Sequence, residues 1–334
     1  MKTIHFFSES EYKKRINKRE GETKLGEVIE VASGWDALNT SEAKYVLLGI
    51  PEDIGVRANL GKKGASEAWE ATLNAFVNVQ KNYYINQEGL ILLGTINCDQ
   101  QMKQAASISE DDTHYAEKLG ELVTQIDHMV SEVIGKIVAT GKIPILIGGG
   151  HNNSYGNLKG ASEALTSPVN CINFDAHTDF RSLEHRHSGN GFTYAFEDGY
   201  LDRYFIFGLH RNYTSESIFE KLQKHAKRIQ YILFEGISIS EENTFSEALQ
   251  QAETFCCNKK FGLELDLDAI ENFGSSAMTP SGFTLTEARK FLSYFSKHPN
   301  CTYIHICEGA PSAGIFPNQV GKAISYLISD IVCK

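Results

Sequence analysis

The chain has 334 residues, with 42 acidic against 32 basic side chains and a formal net charge of −10. That balance argues against a nucleic-acid backbone or an anionic membrane as the main partner. The length suits one large α/β unit with a sizeable core, and no apolar run approaches the ~20 residues of a membrane span. The seven cysteines form no CxxC pair, and two of them, Cys256 and Cys257, are adjacent. With an opening MKTIHFFSES that lacks the apolar core of a signal peptide, this pattern predicts free thiols in a reducing cytoplasm.

Residues 1–43 are polar and charged. They read as an N-terminal extension ahead of a core over 44–332, with Lys13–Arg19 as a solvated helix face. Tyr45–Ile50 is a continuous apolar run of the kind buried on both faces of a parallel sheet. The glycine-rich loop that follows, PEDIGVRANLGKKGA, lacks the Gly-Lys-Ser/Thr ending of a phosphate-binding loop, and Ser66–Val79 then reads as helical. Leu90–Gly94 is a short apolar run. Tyr115–Thr140 carries apolar residues at helical spacing, from Leu119 and Leu122 to Ile134 and Ile137, and stops at Gly141. Strand–helix alternation continues through Ile143–Ile147, Val169–Phe174, Tyr204–Leu209, Ser215–His225, Tyr231–Phe234, Ser246–Cys256, Phe261–Leu267, Thr286–Phe295, Tyr303–Ile306 and Gln319–Val332. This order predicts a single α/β domain, a mostly parallel sheet with helices on both faces.

Ligand sites in such sheets collect at the carboxyl ends of the strands. His151 follows Ile143–Ile147 after three glycines. Asp175, His177 and Asp179 alternate after Val169–Phe174, and Asp266 and Asp268 close Phe261–Leu267. On that last strand Glu264, Asp266 and Asp268 share one face, a row of carboxylates that a sheet interior tolerates only if it is neutralised. Asp175, Asp179, Asp266 and Asp268 together carry the charge that two divalent cations would balance. Carboxylate oxygens with two imidazoles suit Mn²⁺, and Fe²⁺, Co²⁺, Ni²⁺ or Zn²⁺ by the same ligand logic. Such a pair, ~3.5–4 Å apart, can share a water and lower its pKa until hydroxide is available near neutral pH. Read singly, DAHTD is also an ordinary solvated loop and DLD a strand end; the argument is that three motifs sit at three strand ends.

IGGGHNNSYG, NFDAHTDFR and LELDLDAI resemble the three metal motifs of the ureohydrolase superfamily of arginases, agmatinases and formimidoylglutamases. GIPEDIGVRANLGKKGA and HICEGAP extend the resemblance over roughly residues 44–332. It implies a three-layer α/β/α fold and a binuclear manganese site, two Mn²⁺ per subunit, that hydrolyses C–N bonds of guanidino or formimidoyl groups. Matched motif by motif, it implies that His151, Asp175, Asp179 and Asp266 hold one metal. Asp175, His177, Asp266 and Asp268 hold the other, with Asp175 and Asp266 bridging. Glu308 matches the glutamate that binds the cationic amidine group, although a strand-end carboxylate can also be an ordinary surface residue. The family mechanism uses the hydroxide shared by the metals as nucleophile and Asp268 to relay a proton to the leaving nitrogen, with charge-assisted hydrogen bonds to Glu308 holding the flat cation.

Within the family, arginases typically follow DAHTD with Asn and place a His two residues after Ser-Gly-Asn. Here Arg181 and Phe192 stand there, with His185 and His187 nearby. Arg181 and the GVRxNxGxxGA loop look more like formimidoylglutamases. Arg181 could clamp a substrate carboxylate as a bidentate pair or serve as a structural ion pair. Arg57, Asn190 and Arg211 are further candidates for the same work. The usual DxDxxDP becomes DLDAIEN, with Glu271–Asn272, and the usual Glu-x-Asn-Pro becomes Glu308-Gly-Ala-Pro311. Cys98, Cys171, Cys301 and Cys307 read as core thiols, and Ser154 is not in a nucleophile elbow.

The resemblance therefore implies a cytoplasmic, homo-oligomeric formimidoylglutamase of histidine breakdown. Alternatives are a guanidino hydrolase releasing urea and a metal-bearing scaffold or regulatory protein without turnover.

Overall fold

A computed structural model describes residues 3–85 and 89–333, so the first two residues of MKTIHFFSES lie outside the described part. Ten strands form one sheet: β1 Ile4–Phe6, β2 Glu30–Val31, β3 Tyr45–Gly49, β4 Leu90–Ile96, β5 Ile143–Ile147, β6 Val169–Phe174, β7 Leu201–Leu209, β8 Ile229–Leu233, β9 Phe261–Asp266 and β10 Cys301–Cys307. Their order is β1-β4-β3-β5-β10-β9-β6-β7-β8, with β2 on β4. Every pairing is parallel except that of β1 with β4.

Successive strand residues supply two separate cores. Tyr45, Leu47, Ile145, Ile147, Ile172 and Phe174 join one apolar cluster, and Val46, Leu48, Leu146, Val169 and Cys171 join the other. The period of two thus places each strand between two helical layers, the reason its sequence is apolar at every position. Helices Tyr115–Ala139 and Asn153–Leu165 cover one face. Helices Ala68–Phe76, Phe245–Cys256, Leu285–Phe295 and Gln319–Val332 cover the other. This is the three-layer α/β/α arrangement expected. Among the described residues no helix is long and apolar enough to cross a membrane.

Two departures have physical causes. Helix Asn153–Leu165 has no apolar stripe because its inner face is small and polar. A Cβ on Gly156 would stand 2.7 Å from that of Val130, and one on Gly160 would stand 2.4 Å from the Ser131 carbonyl. Close backbone approach to helix Tyr115–Ala139 replaces the apolar periodicity by which a helix is recognised. Residues 3–43 also do more than precede the core. Tyr12, Leu25, Ile29, Ala32 and Leu38 are buried, and β1 and β2 add to the β4 side of the sheet.

The β1 junction requires Gly94, whose φ is +144° and where a Cβ would lie 1.9 Å from the His5 carbonyl oxygen. Gly94→Val should detach β1, lowering stability by about 1–3 kcal/mol. Urea unfolding measures the loss, and limited proteolysis should open residues 3–12. Unchanged stability and protection would refute the role of this glycine.

Candidate metal centre

Four neighbouring strands, β5, β10, β9 and β6, end side by side and bring His151, Glu308, Asp266/Asp268 and Asp175/His177/Asp179 together. The glycines before His151 turn the chain sharply. Gly149 has a φ of +73°, and a Cβ there would meet Asn153 Nδ2 at 2.4 Å. This loop is tied down by Glu52, a fully buried carboxylate. Its Oε1 accepts from Gly150 N (3.2 Å), Asn152 Nδ2 (3.1 Å) and Asn153 Nδ2 (2.6 Å), and its Oε2 accepts from Ile54 N (2.7 Å). Sequence reasoning missed Glu52; the two asparagines directly after His151 were the available signal.

His151 Nδ1 faces carboxylate oxygens of Asp179 at 2.8 Å, Asp266 at 3.0 Å and Asp175 at 3.2 Å. One donor atom from each of these four residues falls within 4.8 Å of all the others, so the first expected ligand set is assembled. His177 Nδ1 is 3.5 Å from Asp175 Oδ1, and the His177 ring stacks on Tyr213 at 5.1 Å between centroids. Asp268 lines the same cavity, held by hydrogen bonds from Ala277 N (2.9 Å) and Ser276 Oγ (3.3 Å). Asp175 is oriented by Asn173 Nδ2 (2.9 Å), which also contacts the Tyr204 hydroxyl. Asp179 and Glu308 have φ values of +44° and +61°, strain that the surrounding fold must offset.

The electrostatics require a positive partner. Burial, then the neighbouring Asp268 and Asp175, push the Asp266 carboxyl well up; burial and Asp175 do the same to Asp179, and burial raises Asp268. Despite its burial, hydrogen bonds with His151 and His177 hold Asp175 below the usual carboxylate range. Burial opposes a charge on His177, but the hydrogen bond with Asp175 prevails and raises it to about 10. Glu308 is pushed up to about 8 by burial and by Asp268. Its Oε1 accepts from His151 N at 2.7 Å, while Oε2 is buried with no hydrogen-bond partner. Hard oxygen donors packed around imidazoles, short of protein cations, fit divalent metal ions.

A cavity of about 590 Å³ opens over the cluster, lined by Asp179, Asp266, Asp268, Glu308, His177, Arg181 and Glu184 among others. Arg181 is half-exposed, donates to Asn59 Oδ1 and lies 3.7 Å from Glu184. The other substrate candidates are placed elsewhere. Asn190 is buried with its amide spent inside the loop, Oδ1 accepting from Arg186 and from His187 N, and Nδ2 donating to the His185 carbonyl. Arg57 turns away to the Tyr115 hydroxyl (3.2 Å) and the Ala105 carbonyl (2.9 Å), and Arg211 pairs with Glu235 on the surface. His185 Nε2 donates to the Ala58 carbonyl, 3.1 Å away, and His187 is buried against Glu184 at 3.0 Å. Arg186, also overlooked, anchors the loop. It pairs with buried Asp127 (2.9 Å) and lies over the rings of Tyr155 and Tyr194. Cys98, Cys171, Cys301 and Cys307 are buried free thiols, and burial pushes each of them up, away from reactivity.

Fold and site together define a three-layer α/β protein with an acidic, imidazole-bearing centre suited to divalent cations at its strand ends. The chain belongs to the arginase family, whose model matches residues 43–333. It is 26% identical over 281 residues to a formimidoylglutamase of Geobacillus kaustophilus, covering 81% of this chain and 78% of that one. It is 26% identical over 303 residues to a formimidoylglutamase of Geobacillus thermodenitrificans, covering 88% and 86%. Its fold is similar to that of Trypanosoma cruzi formiminoglutamase with Mn2+2 (TM-score 0.72, 20% identity, 93% and 98% covered). It is also similar to that of formimidoylglutamase from Bacillus subtilis (TM-score 0.73, 18% identity, 95% and 93% covered).

A pH dependence follows for metal-free protein. Asp179, Asp266, Asp268 and Glu308 hold protons in the folded state that the unfolded chain releases at ordinary carboxylate pKa values. The Glu308 contribution therefore falls as pH rises towards about 8, and those of the three aspartates fall in the same direction. Raised His177 adds a loss of the same sign from its ordinary value of 6.5 up to about 10. The metal-free Tm should be lower at pH 8 than at pH 5.5, and Mn²⁺ should reverse the difference; scanning calorimetry at both pH values decides it. An apoprotein more stable at pH 8 would contradict the electrostatic description.

Proposed function

We propose that this chain is a binuclear-metal amidine hydrolase acting on N-formimidoyl-L-glutamate, in histidine breakdown. The observation that carries the reading is the polarity of one cavity. Buried Glu308, with one oxygen that has no hydrogen-bond partner among the described residues, lines it together with half-exposed Arg181, its one lining Arg or Lys among the described residues. A substrate with a cationic amidine at one end and a carboxylate at the other complements that arrangement. The names of the relatives support the same choice.

Two manganese ions would be held by His151, Asp175, Asp179 and Asp266 on one side and by Asp175, His177, Asp266 and Asp268 on the other. When bound they would supply an activated water and neutralise the four aspartates. The chain's own residues do the rest. Glu308 Oε2 accepts from the amidine N–H groups and fixes the plane of the C=N bond. Water adds to the amidine carbon, and the bond from that carbon to the α-nitrogen breaks. Asp268 takes a proton from the attacking water and passes it to the leaving nitrogen, so that L-glutamate and formamide result. Arg181, steadied by Asn59, holds the carboxylate end. The same reading takes the chain as one domain, working in the cytoplasm as a homo-oligomer with its thiols free.

The Mn²⁺-loaded protein, offered N-formimidoyl-L-glutamate, arginine and agmatine, should release formamide and glutamate from the first and little urea from the others. Urea as the main product would assign it to the guanidino hydrolases. Two bound metals without turnover on any amidine would make it a scaffold.

Charged hydrogen bonds of this type contribute about 1.5–3 kcal/mol, so Arg181→Ala should raise KM roughly ten- to hundredfold with kcat largely kept. Glu308→Gln should cut kcat/KM by a comparable factor or more. Steady-state kinetics separates the two, and an unchanged KM in Arg181→Ala would remove the arginine from substrate binding.

A further inference from the structure

Beneath the donor cluster lies a buried pair that the proposed reaction does not use. Glu264 on β9 and His305 on β10 are cross-strand partners without solvent exposure. His305 Nδ1 is 2.6 Å from Glu264 Oε2, and its Nε2 is 3.1 Å from the Gly148 carbonyl oxygen. A carbonyl only accepts, so Nε2 carries a hydrogen, and Nδ1 shares a further proton with the carboxylate. Glu264 Oε1 also accepts from Asn157 Nδ2 at 3.3 Å. The pair therefore answers the Glu264 charge within the protein and leaves the four aspartates of the cluster without that answer.

Cys307 Sγ lies within 4.8 Å of a donor atom of Glu264 and of one of His151, and Glu264 also approaches His151 itself. Its Oε2 lies 3.6 Å from His151 Nε2, a buried nitrogen with no hydrogen-bond partner. Nδ1 of the same ring already faces the carboxylates of Asp175, Asp179 and Asp266. An imidazole that offers one nitrogen to a metal keeps its hydrogen on the other, and a buried N–H requires an acceptor.

We infer that Glu264, oriented by His305, is a positioning residue that accepts the His151 Nε2 hydrogen and fixes Nδ1 as the atom offered to one of the two metals. The inference rests on the binuclear reading above. It makes the two metal positions unequal, because only the position held by His151 depends on the Glu264–His305 pair.

Manganese titration by calorimetry, with bound-metal analysis, tests this on the full chain. The double variant Glu264→Met/His305→Leu replaces the buried pair by apolar groups of similar volume, an exchange that folds commonly tolerate. It should keep one Mn²⁺ at wild-type affinity and bind the other about 10–100-fold more weakly. Glu264→Gln, whose amide oxygen can still accept, should recover most of that loss. A folded double variant that binds both ions as tightly as wild type overturns the inference. Equal weakening at both positions in every variant, the mark of a general packing defect, overturns it as well, as does failure of both variants to fold. Fewer than two ions on the wild-type protein would instead overturn the binuclear reading itself.

Discussion

Like charges gathered at the ends of three adjacent strands, β10, β9 and β6, set the terms for the rest of this molecule. Asp175, Asp179 and Asp266 sit around His151 at the carboxyl ends of central strands, with buried Asp268 close by. Their separation is fixed by strand spacing, so the repulsion cannot relax without breaking the sheet. The protein answers it in part, with backbone N–H donors from His177 and Ala277 and with the imidazoles. The raised pKa values of three of the four show that the answer is incomplete. The pair of divalent cations proposed above would complete it.

Around that cluster, positioning is graded by burial. Glu52 and the asparagines after His151 hold the glycine turn, Asn173 and Tyr204 hold Asp175, and Ser276 and Ala277 hold Asp268. Each contact is satisfied inside the protein, so the donors are arranged before any ligand arrives. Glu308, which lines the cavity, is held on one side only. One of its oxygens is used by His151 N, and the other is buried with no hydrogen-bond partner among the described residues.

The parts legible in the sequence were those with a local signature. Continuous apolar runs marked β5 and β6 to the residue, since a strand buried on both faces has no alternation to blur its ends. The ligands were legible because alternate positions at a strand end put Asp175, His177 and Asp179 within reach of one small volume. What escaped lacked any periodic signal. Helix Asn153–Leu165 packs through glycines, and β1 and β2 are too short to show a pattern. Glu52 and Arg186 act through partners about 100 and 59 positions away, across contacts that only the folded chain creates. Asn190 was singled out by its motif, yet its amide is consumed by Arg186, a residue that reads as an ordinary surface arginine until its burial is known.

Selectivity and metal binding consequently rest on different kinds of structure. The metal donors come from strand ends and cannot move apart, whereas Arg181 belongs to the loop between β6 and β7. That loop is nevertheless not free. Arg181 N is bound to the Gly189 carbonyl (3.0 Å), its own carbonyl accepts from Thr193 Oγ1 (2.6 Å), and Arg186 fastens the loop to Asp127 on helix Tyr115–Ala139. Only the outer part of the Arg181 side chain remains in solvent. In the proposed role the guanidinium would meet an anionic group from a fixed base, with little ordering required of the loop. On the proposed reading, such a pocket would discriminate by the distance between Glu308 and Arg181. Substrates of the same charge but a different length between amidine and carboxylate lose one of the two contacts rather than sharing the misfit between them.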